Sequence, residues 1–216
     1  MKIAPSIIAA DFTKLNIEIK KIEKAGADLI HLDIMDGVFV PNITFGPMIV
    51  EAINRITDLE LDAHLMIVNP EKYYERFIDC GAEWISFHIE TVTDVKKNID
   101  FLKKKKCHPG IAINPETPLQ RILRYIDKLD YLLIMTVHPG FYGQKFIPEV
   151  LKKIEQARNF IDRNRLHCLI QVDGGINGEN ASIIARAGAD ILVAGAGVFK
   201  TKDYKKAIRD LRCSRI

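Results

Sequence analysis

The 216-residue chain has 48% hydrophobic and 27% charged residues and a formal net charge of +3, the balance of an ordinary globular domain large enough to bury a sizeable core. So small a charge, with no stripe of arginines and aromatics, gives a nucleic acid nothing to grip. No apolar run approaches the eighteen or so residues of a membrane span, so no membrane partner is expected either. The four cysteines, Cys80, Cys107, Cys168 and Cys213, are widely separated and form no CxxC pair, which excludes a zinc knot or dithiol centre and predicts reduced thiols in a cytoplasmic protein.

In chain order, Met1-Lys-Ile-Ala-Pro-Ser-Ile-Ile reads directly as a strand (2–8), without the apolar region and cleavage site of a secretory leader. A helix at 13–25 leads to a strand at 28–34 within Ile30-His-Leu-Asp-Ile-Met-Asp-Gly37, which the Asp36-Gly37 turn signal ends. Alternation puts His31, Asp33 and Met35 on one face, with Leu32 and Ile34 on the other. A buried imidazole beside a carboxylate needs a partner; a hydrogen-bonded core pair or a metal ion satisfies both. After a helix at 46–55, the strand at 60–66 repeats the device in Leu61-Asp-Ala-His-Leu-Met66, with His64 and Met66 on one face. Strands at 84–89, 109–113, 130–136, 168–172 and 190–194 then alternate with helices at 70–80, 92–105, 118–126, 147–162, 178–188 and 202–212. The helix at 147–162 lines up Val150, Leu151, Ile154, Ala157 and Ile161 at helical spacing. The run from Lys103 to Lys106 reads as a solvated helix end that suits the dipole.

A repeat ties these units together. Lys24-Ala-Gly-Ala-Asp-Leu-Ile-His recurs as Asp79-Cys-Gly-Ala-Glu-Trp-Ile-Ser and as Arg186-Ala-Gly-Ala-Asp-Ile-Leu-Val, each a helix end, a capping glycine and an apolar strand. Repeated β-then-α units without a linker predict a single domain over 1–216, a (β/α)8 TIM barrel, with an open doubly wound sheet as the alternative.

In such a barrel the chemistry sits at the C-terminal ends of the strands. That rule collects Ser6, then His31, Asp33 and Met35, then His64 and Met66, then Met135 and Asp173. His88, on the fourth strand, reads as a structural neighbour. Two imidazoles and two carboxylates from three strands supply four ligands, and nitrogen and oxygen donors without thiolate suit zinc, iron(II), cobalt or manganese. Met35, Met66 and Met135 would form an apolar, polarizable floor. His138-Pro-Gly-Phe-Tyr-Gly-Gln-Lys-Phe146, Gly174-Gly175 and Gly195-Ala-Gly197 follow adjacent strands, where glycine-rich backbone converges on a substrate phosphate.

These residues resemble the ribulose-phosphate 3-epimerase family over essentially the whole chain. The match rests on Ile3-Ala-Pro-Ser6, His31-Leu-Asp-Ile-Met-Asp-Gly37, Phe39-Val-Pro-Asn42, Thr44-Phe-Gly-Pro47, His64-Leu-Met66, Asn114-Pro115, Pro139-Gly-Phe141 with Gly143-Gln144, and Val172-Asp-Gly-Gly-Ile-Asn177. The resemblance implies one divalent metal on His31, Asp33, His64 and Asp173, with Asp33 and Asp173 as the acid/base pair. It implies substrate contacts at Ser6, His64, Gly140, Phe141, Tyr142, Gly143, Gly174, Gly175, Gly195 and Ala196. The implied reaction inverts C3 of a sugar phosphate, ribulose 5-phosphate to xylulose 5-phosphate, with an allulose-6-phosphate 3-epimerase as the alternative. A homo-oligomer is expected. Three positions depart from the family pattern: Val38 stands for a frequent His, Tyr142 for a Gly, and Ala196-Gly197 for a Ser followed by a small residue. A barrel decarboxylase would carry a lysine in an Asp-x-Lys-x-x-Asp motif, whereas the chain reads Asp33-Ile-Met-Asp36.

Overall fold

The computed structural model describes residues 1–212, so Cys213 lies outside the described residues. The strands are β1 (Lys2–Pro5), β2 (Leu29–Met35), β3 (Glu60–Met66), β4 (Ala82–His88), β5 (His108–Ile113), β6 (Tyr131–Met135), β7 (Leu169–Asp173) and β8 (Ile191–Ala194). They form one 8-stranded sheet in the order β1-β8-β7-β6-β5-β4-β3-β2, and every ladder is parallel. Across the seam, β1 and β2 meet at one parallel bridge, Ser6 to His31. Beside it, Asp28 N–H donates to the Ile3 carbonyl at 2.9 Å and the Asp28 carboxylate accepts from Ile3 N–H at 2.7 Å. The result is the nearly closed (β/α)8 barrel that the repeat predicts.

The helices are α1 (Leu15–Lys24), α2 (Pro47–Asn54), α3 (Tyr74–Asp79), α4 (Val95–Lys104), α5 (Leu151–Arg163), α6 (Ala181–Ala187), α7 (Ala196–Phe199) and α8 (Tyr204–Arg212). None among the described residues is long and apolar enough to cross a membrane. Strand alternation divides the core in two. Ile30, Leu32 and Ile34 of β2 point outward and join Ile19 and Ile22 of α1 and Val50 and Ile53 of α2 in the layer between sheet and helices. Leu29, Trp84, Tyr131, Leu133 and Val193 point inward and fill the barrel. Burial on both faces is why the strands read as near-continuous apolar runs. On α5, Ile154, Ala157 and Ile161 are the buried residues, matching the face read from the sequence; truncating Ile154 to alanine should cost about 2–5 kcal/mol. Each repeat glycine follows a helix at positive φ. At Gly188 any side chain would also press a Cβ to within 2.5 Å of Arg158 Cγ, so the packing of α6 on α5 forbids it.

Local departures from the sequence reading have local causes. β1 stops at Pro5 because the Ser6 side chain accepts from Ile8 N–H at 3.4 Å and caps a 3-10 turn over Ile7–Ala9. The helix expected at 118–126 is two 3-10 segments, Leu119–Arg121 and Leu123–Lys128. The anchors Leu119, Ile122 and Ile126 are buried all the same. After β8, the segment read as a turn winds into the one-turn helix α7. Cys80, Cys107 and Cys168 are buried and free.

Candidate active site

The register of β2 on β3 builds the centre. It sets His31 opposite Asp62 and Asp33 opposite His64, while β6 on β7 sets Met135 opposite Asp173. His31, Asp33, His64 and Asp173 thereby bring one donor atom each to within 4.8 Å of one another. His31 Nε2 lies 3.5 Å from Asp33 Oδ1 and 3.8 Å from Asp173 Oδ2. His64 Nδ1 lies 3.6 Å and 3.8 Å from the same two oxygens. These spacings are too long for good hydrogen bonds. Donors about 2.1 Å from a shared ion would stand about 3.4 Å apart in a tetrahedron, close to what is seen. His31 Nε2 and His64 Nδ1 are also buried with no hydrogen-bond partner. Two orphaned lone pairs and two carboxylates around one point fit a divalent metal ion.

The electrostatics separate the two carboxylates. Burial opposes ionisation of Asp33, but the His31 and His64 imidazoles outweigh it and hold the carboxyl well below the usual carboxylate range. The Ser6 hydroxyl adds a hydrogen bond to Asp33 Oδ2. Asp173 moves the other way: burial pushes it up, and the neighbouring Asp33 charge adds to the shift. Burial works against a charged His31, yet Asp62 and Asp33 raise it well above its ordinary value. His64 is lowered to about 4, chiefly by burial, which outweighs the upward pull of Asp33. The two adjacent carboxyls thus differ in proton affinity, Asp33 lowered and Asp173 raised.

Above the centre opens a cavity of about 460 Å³, within the usual range for a small-molecule site. Ser6, Asp33 and Asp173 reach it from below, and Met35, Met66 and Met135 line its floor. Gly140, Phe141, Tyr142 and Gly143 line it too, as do Gly174, Gly175, Gly195 and Ala196. His31 and His64 do not line it; both are fully buried beneath. Gly175 is at φ +67°, and a Cβ there would stand 2.4 Å from Phe146 N. Its lack of a side chain therefore lets two loops pass each other, a constraint separate from access for a ligand. Phe141 and Tyr142 are 57% and 53% exposed, and Lys200 Nζ sits 5.6 Å from the Tyr142 ring centre. Val38 is 72% exposed and takes no part in the lining.

One layer of the centre went unread in the sequence. Asp62 is fully buried and accepts from Gln171 Nε2 at 2.6 Å and Tyr131 O–H at 3.0 Å, with His31 Nδ1 at 2.7 Å. Its signal was available: Asp62 is two residues before His64, and Gln171 two before Asp173, so both polar pairs share an inward face. Against His64, His88 Nε2 lies 2.9 Å from His64 Nε2, and His88 Nδ1 lies 3.2 Å from Glu90 Oε2.

The sequence profile described as the ribulose-phosphate 3 epimerase family matches residues 2–199. A Bacillus subtilis (strain 168) protein named ribulose-phosphate 3-epimerase is 49% identical over 216 residues, covering 100% of both chains. The Arabidopsis thaliana protein named ribulose-5-phosphate-3-epimerase, chloroplastic, is 44% identical over 215 residues, 99% of this chain and 76% of that one. Among solved structures, 3-hexulose-6-phosphate synthase from Salmonella typhimurium superposes with a TM-score of 0.72 over 99% of this chain and 98% of that one. At 17% identity that likeness concerns the fold alone. With a profile that spans nearly every element of the barrel and full-length relatives close to half identical, the chain belongs to the ribulose-phosphate 3-epimerase family.

Proposed function

We propose that the chain interconverts D-ribulose 5-phosphate and D-xylulose 5-phosphate by inverting C3, with Asp33 and Asp173 as the two acid/base groups. The carrying observation is that these carboxyls face one cavity while their environments drive their proton affinities in opposite directions. The C3 hydrogen is acidic because it adjoins the C2 carbonyl. Asp33, ionised, takes that proton; Asp173, protonated, returns one to the opposite face, and the roles exchange for the reverse reaction. His31, Asp33, His64 and Asp173 would hold a divalent cation among zinc, iron(II), cobalt and manganese. When bound, it supplies Lewis-acid stabilisation of the negative charge that develops on the substrate's oxygens. Gly174, Gly175, Gly195 and Ala196 line the cavity, and their backbone N–H groups would hold the phosphate. Met35, Met66 and Met135 keep water from the face of the reacting carbon.

The test offers ribulose 5-phosphate and allulose 6-phosphate side by side to metal-replete enzyme in D2O. Turnover of the pentose substrate should exceed that of the hexose substrate, and its product should carry deuterium at C3 and none at C4. Preference for the hexose would move the assignment to the six-carbon sugar. Product that keeps its original C3 hydrogen at low conversion would overturn the two-carboxylate route.

A further inference from the structure

A neutral imidazole has two tautomers, and only one of them turns a lone pair toward any given neighbour. His31 and His64 approach the ligand group through different atoms, Nε2 and Nδ1 respectively. Each therefore needs a different proton placement, and both rings are fully buried, without water to choose for them.

For His31 the choice is made from below. Its Nδ1 lies 2.7 Å from Asp62 Oδ2. Asp62 also accepts from Gln171 Nε2, which can only donate, at 2.6 Å, and stands 3.0 Å from Tyr131 O–H. A carboxylate surrounded by donors requires the hydrogen on His31 Nδ1, leaving Nε2 bare.

For His64 the choice is relayed through a second ring. Glu90 Oε1 accepts from Asn114 N–H at 3.1 Å and from the Thr117 hydroxyl, so Glu90 acts as an acceptor. Its Oε2 lies 3.2 Å from His88 Nδ1, which places the His88 hydrogen on Nδ1 and leaves its Nε2 as a lone pair. That lone pair lies 2.9 Å from His64 Nε2, so the His64 hydrogen sits on Nε2 and Nδ1 is bare. The two ring planes are inclined by 22° and their centres lie 5.0 Å apart.

We infer that Asp62, and Glu90 acting through His88, are positioning residues that fix His31 and His64 in opposite tautomers, so that both bare nitrogens face the metal position. This rests on the metal-site reading above. Partners of this kind typically set metal affinity within a 10- to 100-fold range.

The experiment uses zinc-loaded full-length protein. Long-range ¹H–¹⁵N correlation spectra should show His31 ligated through Nε2 with a hydrogen on Nδ1, His64 ligated through Nδ1 with a hydrogen on Nε2, and His88 protonated on Nδ1. Competition with a chromophoric chelator should show the zinc dissociation constant rising 10- to 100-fold in Asp62→Asn and about 10-fold in Glu90→Gln. With excess zinc, KM should stay near the wild-type value. Ligation through the other nitrogen of either ring, in wild-type protein, overturns the inference even if neither variant folds. The stated ligation with unchanged zinc affinity in both folded variants overturns it too. Zinc-independent spectra at both His31 and His64 would instead reject the metal site, and the inference with it.

Discussion

Replacing Asp33 or Asp173 by asparagine, one at a time, separates the two faces of the reaction. Each amide keeps an oxygen at the ligand position and nearly the same volume, so the fold and an oxygen donor are retained. What is lost is one proton carrier. The Ser6 hydroxyl and the orphaned imidazole nitrogens crowd Asp33, whereas Asp173 faces the cavity with 14% of its side chain exposed. Neither amide can borrow its neighbour's proton, because the other carboxyl must reach the opposite side of C3. A positioned acid/base group is worth roughly 10²- to 10⁴-fold, or about 3–5 kcal/mol of barrier. Inversion should therefore fall by that factor in both variants at saturating metal. Exchange of the C3 hydrogen with D2O, followed by ¹H NMR before any inversion, should survive for one epimer only. The surviving epimer should differ between the variants: Asp33→Asn should wash out the sugar whose C3 hydrogen faces Asp173, and Asp173→Asn the other. If both variants exchange the same epimer, or either inverts at more than about a tenth of the wild-type rate, the division of roles is wrong.

Metal binding should release protons. The raised His31 must shed a proton before the ring can serve through Nε2 as a neutral ligand. Zinc affinity measured between about pH 6 and pH 8, around the ordinary imidazole value, should rise with pH, and calorimetry in buffers of different ionisation heat should show net proton release; pH-independent affinity would count against the ligand set. Ala196→Glu should raise KM about tenfold or more through repulsion of the phosphate while kcat changes little, since Ala196 lines the cavity and begins α7; an unchanged KM would remove that wall from phosphate binding. Gly175→Val is the poorer probe, because its Cβ would collide with Phe146 N before any ligand arrived.

The sequence exposed those parts of the site that follow from chain-local periodicity. His31 with Asp33, and His64 with Met66, alternate on buried strands, and the barrel rule alone brings their ends together. Asp62 escaped because its role exists only across the barrel interior, where Gln171 and Tyr131 reach it from strands far away in sequence. His88 was visible as a polar residue on β4, but its meaning depends on two partners, His64 and Glu90, that no single strand reveals. The 3-10 segments between β5 and β6 were misread for a different reason. The anchors Leu119, Ile122 and Ile126 are buried and suit either an α or a 3-10 winding.

The seam between β1 and β2 carries a consequence for how the protein comes into being. β1 is held chiefly by β8, through the pairs from Lys2 with Ile191 to Pro5 with Ala194, and on the β2 side by one bridge and the two Asp28–Ile3 hydrogen bonds beside it. β1, made well before β8, therefore has no full ladder to join until β8 has been synthesised. Pairings this distant in sequence are slow, because the loop must close before the contacts reward it. Ser6 reaches Asp33 only across that seam, so a nascent chain lacking β8 has β2 and β3 in place but an unfinished centre.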